Sequence, residues 1–283
     1  MLPPYRLGVA SDPAWMSTFA RHADDVGFES LLAVEHVVVP VGYASRYPYS
    51  ETGRMPLAED CELPDPLDLI AWLAARTERL RFGTGVLVLP EHHPLQLAKR
   101  AATIDRLSSG RLFLGVGVGW MREEVAALGI DPDERGSRTD EVIEALRVIW
   151  AQEEPSFAGH HFRFDRVRSH PKPQQARLPI LVGGHSARAA RRAGRLGDGY
   201  FPLGLSGAAL DERWTQVQAA AAEVGRYPAE VGLTTGGLLG DDEAIADAVE
   251  RGAERVVLSS RTADLDDLRR AMDAAVARAA VLG

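Results

Sequence analysis

Short runs of apolar residues alternate along this chain with longer segments in which apolar residues recur every three or four positions. The first pattern is typical of buried β-strands and the second of amphipathic helices. The stretch from Arg79 to Pro94 is central to the pattern, because its apolar strand carries Gly85, Val86 and Leu87 near its end. Glycine tolerates close ligand approach, so we expect chemistry at this corner, with an ordinary buried strand and turn as the alternative.

The alternation gives eight strand-then-helix units. The predicted strands are Tyr5 to Ala10, Ser30 to Val34, the stretch from Arg79, Leu112 to Val118, Leu178 to Val182, Gly199 to Pro202, Val231 to Thr235, and Arg255 to Ser259. The predicted helices are Ala14 to Gly27, Pro66 to Leu80, Leu95 to Leu107, Thr139 to Trp150, Ser186 to Leu196, Ala208 to Val224, Asp242 to Arg251, and Leu265 to Leu282. A small hairpin is predicted between Pro155 and Pro173.

This order predicts parallel strands, because each helix returns the chain to the same edge of the sheet. Eight units in 283 residues match a single (β/α)8 TIM barrel over residues 1–283, and a doubly wound open sheet is the alternative. The segment from Val37 to Asp65 has no clear period. We interpret it as a lid inserted into the barrel, with simple disorder as the alternative.

Composition narrows the class of protein. The chain is 46% hydrophobic and 25% charged, without an apolar run long enough for a membrane span, which is typical of a soluble cytoplasmic protein. A net charge of −8 argues against a general affinity for nucleic acid or anionic membranes. The single cysteine, Cys61, cannot form an intrachain disulfide and fits a reducing compartment.

Candidate chemistry lies where the predicted strands end, since α/β folds gather their sites there. Glu35 and His36 are an acid and an imidazole at one strand end, where a histidine can exchange a proton near neutral pH. A structural histidine is the alternative. We predict no metal site, because the pairs at His92 and His160 lack the spacing of a zinc helix.

Two glycine-rich stretches end other strands. Gly115, Gly117 and Gly119 have a period of two, which suits close packing beside a flat ligand or a tight barrel interior. The run from Pro179 to Ser186 enters a helix through two glycines, where exposed amides suit a phosphate and a simple helix cap is the alternative. The arginines that follow are interpreted as a solvated face. Arg188 replaces the last glycine of a nucleophile elbow, which argues against a serine hydrolase.

Together these stretches resemble the luciferase-like flavin and deazaflavin oxidoreductases, in particular the branch that uses coenzyme F420. The segments that carry the resemblance are Leu31 to His36, Leu80 to Pro94, Gly110 to Gly119, Pro179 to Ser186, and Gly197 to Tyr200. The resemblance covers nearly the whole chain. It implies a TIM barrel that holds an isoalloxazine-like ring at its carboxyl-terminal mouth.

The resemblance also implies roles for individual residues. It places a non-prolyl cis peptide at Gly85-Val86, and His36 with Glu35 as catalytic residues near the position of hydride transfer. The residues that the resemblance assigns to cofactor binding are His36, Gly85, Val86, Leu87, Gly117, Gly119, Trp120, Gly183, Gly184, His185 and Ser186. Many relatives have aspartate where this chain has Glu35, so the role of that carboxylate is less defined.

The implied reaction is hydride transfer between C5 of F420 and a small organic substrate. FMN is the alternative cofactor, and with it the barrel would be a monooxygenase. A third alternative is a barrel that binds a flavin without turnover. Members of the family are often homodimers, so the resemblance also suggests that assembly. Neither the substrate nor the choice of cofactor is fixed by any single residue.

Overall fold

The computed structural model describes residues 1–282, and side chains as far as residue 279. Residue 283, the last of the predicted domain, lies outside the described residues. The helices are α1 Pro13–Val26, α2 Pro66–Ala74, α3 Pro94–Leu107, α4 Arg122–Ala127, α5 Arg135–Ala151, α6 Ala187–Leu196, α7 Gly207–Glu223, α8 Asp242–Glu250 and α9 Leu265–Leu282. The strands are β1 Ser30–Ala33, β2 Arg81–Thr84, β3 Leu87–Val88, β4 Leu112–Gly117, β5 Phe157–Ala158, β6 Arg163–Phe164, β7 Ile180–Gly183, β8 Gly199–Phe201, β9 Gly232–Leu238 and β10 Arg255–Ser259.

The main sheet is parallel and runs in the order β1-β2-β4-β7-β8-β9-β10, with β3 also paired to β4. The first two residues of the chain join its two edges. The amide of Leu2 donates to the carbonyl of Leu258 in β10 at 2.8 Å, and the amide of Leu32 in β1 donates to the carbonyl of Met1 at 2.9 Å. The ring of strands is therefore closed, which confirms the TIM barrel and rules out the open sheet.

The predicted strand from Tyr5 to Ala10 is wrong. These residues form two single-turn 3-10 helices, Tyr5–Leu7 and Val9–Ser11, on either side of Gly8, whose φ is 72°. The strand position belongs to residues 1–2 instead. Pro3 and Pro4 follow them and lack an amide hydrogen, so the ladder cannot continue into the apolar run.

The other predicted elements are confirmed within a few residues, apart from the predicted helix over Pro66 to Leu80, which ends at Ala74. The start of α1 shows why the sequence signals work. The side chain of Asp12 accepts hydrogen bonds from the amides of Ala14 and Trp15 at 2.9 and 3.0 Å, and the helix ends at Gly27, whose φ is 92°. The predicted hairpin is the β5–β6 pair. Helix α4 was missed, because its six residues are too few to give a periodic signal.

Two apolar cores position the site. One fills the barrel interior with side chains from β1, β4, β7, β8 and β10, namely Leu32, Phe113, Leu181, Phe201 and Val257. The larger one lies between the strands and the surrounding helices. Strand side chains alternate between these cores, so the carboxyl ends of the strands are held rigidly around one mouth.

Candidate active site

His36 follows β1 at the mouth and is held by a buried carboxylate. Its Nδ1 lies 2.7 Å from Oε2 of Glu124 in α4, and Glu124 is 2% exposed. The same carboxylate accepts hydrogen bonds from the amides of Val37 and Val38 at 2.7 and 3.2 Å. Because a carboxylate accepts, we assign the ring proton to Nδ1, which leaves a lone pair on Nε2.

Glu35 points away from His36 and has a different partner. Its Oε2 accepts from the amide of Val88 at 2.5 Å, and its Oε1 lies 2.9 Å from Nε2 of His92. Adjacent residues in extended backbone point to opposite sides, which explains why the neighbouring acid and imidazole do not pair. Each of the two adjacent residues therefore pairs with a residue from elsewhere in the chain, His36 with Glu124 and Glu35 with His92.

A third carboxyl group, that of Glu91, is close enough to Glu124 and Glu35 for their charges to act on it. Among the described residues neither of its oxygens has a hydrogen-bond partner, and both are shielded from solvent. Burial, reinforced by the negative charges of Glu124 and Glu35, raises the pKa of Glu91 from 4.5 to about 9. Glu91 therefore carries a proton at neutral pH and is a hydrogen-bond donor.

Three residues of the site were not predicted from the sequence, namely Glu91, His92 and Glu124. Glu91 had a usable signal, since it directly follows the apolar run that ends at Pro90. Glu124 had none, because it is one of two adjacent acids in a short helix. Its partner His36 is 88 residues away in the chain.

The third strand of the barrel is interrupted between β2 and β3 by a cis peptide at Gly85-Val86, as the resemblance implied. The side chain of Val86 lies among the glycines of the neighbouring strands. A Cβ on Gly117 or on Gly183 would lie 2.8 Å from a methyl group of Val86. The glycines in β4 and β7 therefore make room for the interrupted strand itself.

Leu87 and Gly119, two further predicted residues next to the third strand, lie in different environments. Leu87 is buried in the outer core, so its side chain does not face the mouth. Gly119 adopts a φ of 74° beside Val88 and leads into Trp120.

Trp120 is the centre of an aromatic wall. Its ring packs edge-on against His36, Tyr43 and Tyr47, with ring centroids 6.0, 5.4 and 5.2 Å away. Tyr47 continues to Tyr49, and Tyr49 packs edge-on against His185 at 5.3 Å. This wall joins the predicted residues at the end of β1 to those at the end of β7.

The segment 37–65 is irregular but well anchored. Its amides at Ala44 and Ser45 donate to Oε1 of Glu123 at 2.8 and 3.0 Å. The hydrogen bond from the side chain of Ser45, with those amides, lowers the pKa of Glu123 to about 2. Tyr43 and Met55 of the segment pack with Met121 in a small apolar cluster of its own. Two adjacent glutamates of α4 thus hold both His36 and the segment over the mouth.

The end of β7 is built differently. Gly184 has a φ of 112°, and the hydroxyl of Ser186 accepts from the amide of Ala189 at 3.2 Å, so Ser186 is the cap of α6. The carbonyl of His185 accepts from Nε of Arg213 at 3.2 Å. Within the described part of the chain, Nδ1 of His185 and the hydroxyl of Tyr200 are buried and have no hydrogen-bond partner.

These features fit a flat, partly polar ligand. Buried polar atoms without partners are rare in folded proteins and point to a missing donor or acceptor. Nδ1 of His185 lies at one end of the aromatic wall, beside Tyr49, and His36 offers a ring nitrogen at the other end. The ring of Tyr200 packs in the outer core, and its hydroxyl is close enough to Tyr49 and Arg213 for their charges to act on it. The lone pair on Nε2 of His36 gives this rim a hydrogen-bond acceptor and a base.

No helix within residues 1–282 combines the length and the apolar character that a membrane span requires.

Known proteins resemble this chain in sequence and in fold. An uncharacterised protein of Mycobacterium tuberculosis is 36% identical over 164 residues. The match covers 58% of this chain and spans 58% of the length of that relative. An FMNH2-dependent dimethylsulfone monooxygenase of Pseudomonas putida is 36% identical over 181 residues, which are 62% of this chain and 49% of that protein. A solved F420-dependent secondary alcohol dehydrogenase, in complex with an F420-acetone adduct, superposes with a TM-score of 0.74. It covers 93% of both chains at 17% identity, which shows a shared fold.

The family model described as luciferase-like monooxygenase matches residues 5–280, nearly the whole chain. The match agrees with the closed barrel and with the interrupted third strand. The chain belongs to the luciferase-like monooxygenase family.

Proposed function

We propose that this protein is an F420-dependent oxidoreductase that transfers a hydride between C5 of the deazaflavin and a small organic substrate. The observation that carries the proposal is the pair of His36 and Glu124 at the barrel mouth, joined by the aromatic wall to the end of β7. A fold shared with an F420-dependent secondary alcohol dehydrogenase supports the same reading. When bound, the deazaflavin supplies a hydride acceptor or donor at C5.

His36 handles the proton that accompanies the hydride. Oxidation of an alcohol removes a hydride from carbon and a proton from the hydroxyl oxygen. With its Nδ1 proton held by Glu124, His36 takes the hydroxyl proton at Nε2 and becomes a cation beside a carboxylate that stabilises it. In the reverse direction, the same nitrogen returns the proton to the carbonyl oxygen.

Glu35, a predicted catalytic residue, acts in this proposal as a positioning residue. Its hydrogen bonds to the amide of Val88 and to His92 fix the start of the turn that follows Gly85-Val86. Glu124 is likewise a positioning residue, because it acts on the substrate through His36.

In this proposal, the interrupted third strand and Trp120 would hold the ring of the deazaflavin. Val86 provides an apolar surface there, and Gly117, Gly119 and Gly183 let the third strand pack closely behind that surface. Gly184, His185 and Ser186 hold the polar part, with Nδ1 of His185 and the hydroxyl of Tyr200 as added hydrogen-bonding groups. The segment 37–65 acts as the lid, since its tyrosines cover Trp120.

An FMN-dependent monooxygenase is the second candidate function. It is favoured by the 36% identity to an FMNH2-dependent dimethylsulfone monooxygenase, although the chain spans 49% of that protein. The same barrel mouth would then bring reduced FMN and dioxygen together.

An anaerobic turnover assay separates the two functions. Wild-type protein with F420 and a panel of short secondary alcohols and ketones is followed through the absorbance of the deazaflavin. We expect turnover with at least one pair, and its loss in His36→Asn with retained cofactor binding. In a parallel aerobic assay, an oxygenated product formed with reduced FMN, together with no change in F420 absorbance in the anaerobic assay, would favour the monooxygenase and overturn the proposal.

A further inference from the structure

A cluster of metal-binding side chains lies where the β5–β6 hairpin meets the start of α5, and it shares no residue with the candidate active site. His160 and His161 lie in the turn of the hairpin, and Glu134 immediately precedes α5. Nε2 of His160 lies 3.9 Å from Oε1 of Glu134, and Nδ1 of His161 lies 3.7 Å from Oε2. The two adjacent rings both approach one carboxylate, although the sequence predicted no metal site at this pair.

The tautomer of His161 follows from its other hydrogen bond. Nε2 of His161 lies 2.9 Å from the hydroxyl oxygen of Ser137, and that hydroxyl donates to the carbonyl of Glu134 at 3.0 Å. Because the hydroxyl proton is already used, the hydroxyl oxygen accepts and Nε2 of His161 carries the ring proton. In the neutral ring, Nδ1 therefore presents a lone pair to the carboxylate.

Nδ1 of His161 and Oε2 of Glu134 are then two acceptors 3.7 Å apart, which repel each other unless a cation or a proton lies between them. A hydrogen bond would need a shorter distance, below about 3.2 Å for nitrogen and oxygen. With ligand bonds of about 2.1 Å, tetrahedral geometry places two donor atoms roughly 3.4 Å apart, so small side-chain rotations bring all three groups into range. The arrangement also has the outer hydrogen bond from the histidine ring that metal-ligating histidines usually make.

The backbone of the turn is already fixed. The carboxylate of Glu141 accepts from the amides of His160, His161 and Phe162, at 2.6, 2.9 and 3.2 Å. The turn therefore loses little conformational freedom when a ligand binds. Glu141 also adds a second negative charge next to the cluster. The nearby guanidinium of Arg138 stacks on Phe162 and donates to the carbonyl of Pro90, and it is close enough to Glu134 and Glu141 for their charges to act on it. Its positive charge offsets part of the negative charge of the cluster.

We propose that Glu134, His160 and His161 bind one Zn²⁺ ion that clips the hairpin onto the start of α5. Two imidazole nitrogens and one carboxylate oxygen form a donor set that Zn²⁺ accepts, with a water molecule in the fourth position. The three ligands are all outside the set of residues that the proposed function uses. His161 is the buried ligand, with 5% of its side chain exposed, whereas His160 is 79% exposed.

The test is a Zn²⁺ titration of the full chain without flavin or deazaflavin, in competition with a chromophoric chelator. We expect one equivalent to bind and the melting temperature to rise. His160→Ala and His161→Ala should each weaken binding at least 10-fold, and Ser137→Ala several-fold, because it releases the His161 ring. His160→Ala is the decisive variant, since its exposed ring contributes little to folding.

His22→Ala is the matched control, because His22 pairs with the carboxylate of Asp273 at 2.9 Å elsewhere on the molecule. It should leave Zn²⁺ binding unchanged. Equal affinity in His160→Ala, His161→Ala and His22→Ala would overturn the proposal, as would the absence of stoichiometric binding at micromolar Zn²⁺. Loss of F420 binding or turnover would not affect it, so the two proposals fail separately.

Discussion

The two sides of the barrel mouth differ in how their buried polar groups are satisfied. At the ends of β1 and β3, both histidines are paired with carboxylates, His36 with Glu124 and His92 with Glu35, although the carboxyl group of Glu91 beside them has no hydrogen-bond partner among the described residues. At the ends of β7 and β8, the described residues provide no partner for Nδ1 of His185 or for the hydroxyl of Tyr200.

This difference indicates that the side at β1 and β3 carries out the chemistry and that the side at β7 and β8 binds the cofactor. A histidine held by a carboxylate has its tautomer fixed before the substrate arrives, which suits proton transfer. Unpartnered polar atoms cost stability in the free protein, and that cost is recovered when a ligand supplies the hydrogen bonds. Substitutions on the first side should therefore change turnover, and substitutions on the second should change affinity.

The largest effect is expected for His36→Ala. Removing the ring eliminates proton transfer at Nε2, so the rate constant for turnover should fall by about 10²- to 10⁴-fold. Cofactor affinity should change by less than 10-fold. Steady-state kinetics and a binding titration measure the two quantities. A large loss of affinity with turnover retained would contradict the assignment of His36 to chemistry.

Glu124→Gln should have the next largest effect. Loss of the charged acceptor weakens the bond to His36 by roughly 1.5–3 kcal/mol, equivalent to about 10- to 100-fold in turnover. The pH profile of turnover should shift as well, because the carboxylate no longer stabilises the imidazolium.

Glu123→Gln is the control for that prediction. Glu123 anchors the same segment through Ala44 and Ser45 and has no contact with His36 among the described residues. It should leave the pH profile in place. A common shift in both variants would mean that anchoring of the segment, and not the His36 contact, controls the chemistry.

Glu91→Gln should change the pH dependence of stability. The raised pKa means that the folded protein holds a proton that the unfolded chain releases, so the free energy of unfolding should fall as pH rises from about 5 to about 9. Glutamine cannot ionise, so the variant should be the more stable protein at pH 9 by at least about 1.4 kcal/mol, one pKa unit of linkage. Urea unfolding of the wild type and of Glu91→Gln at pH 6 and pH 9 measures the difference in their free energies of unfolding. Parallel pH slopes in the two proteins would show that Glu91 is not protonated.

The smallest effect is expected for Tyr200→Phe. Removing a buried hydroxyl that lacks a partner should leave the free protein as stable or slightly more stable. Cofactor affinity should fall by about 1 kcal/mol, or roughly 5-fold, because the ligand loses one hydrogen bond. Thermal melting with and without cofactor measures both. A destabilised free protein with unchanged affinity would show that the hydroxyl is not part of the binding side.

Much of the fold was predictable from the sequence, because strict strand and helix alternation leaves few arrangements. The largest error was at Tyr5 to Ala10, where an apolar run alone indicated a strand. Pro3, Pro4 and Gly8 determine the local backbone there, and the strand position is taken by residues 1–2.

The site was predictable in part. His36 was found because it follows a strand, and the cis peptide because the resemblance placed it. The partners of His36 and Glu35 were not, because they lie 88 and 57 residues away and depend on how the helices pack. The glycine pattern was ambiguous in sequence, and the structure shows that Gly115, Gly117 and Gly119 make room for Thr84, Val86 and Val88 of the third strand.

The most direct test of the central claim is a fluorescence titration of the purified protein with oxidised F420 and, separately, with FMN. We expect stoichiometric, saturable binding of F420 and much weaker binding of FMN. The affinity for F420 should be lower in Tyr200→Phe and retained in His36→Ala. Binding of FMN with F420 ignored would contradict the choice of cofactor. Binding of neither would contradict the claim that this mouth holds a flavin-like ring.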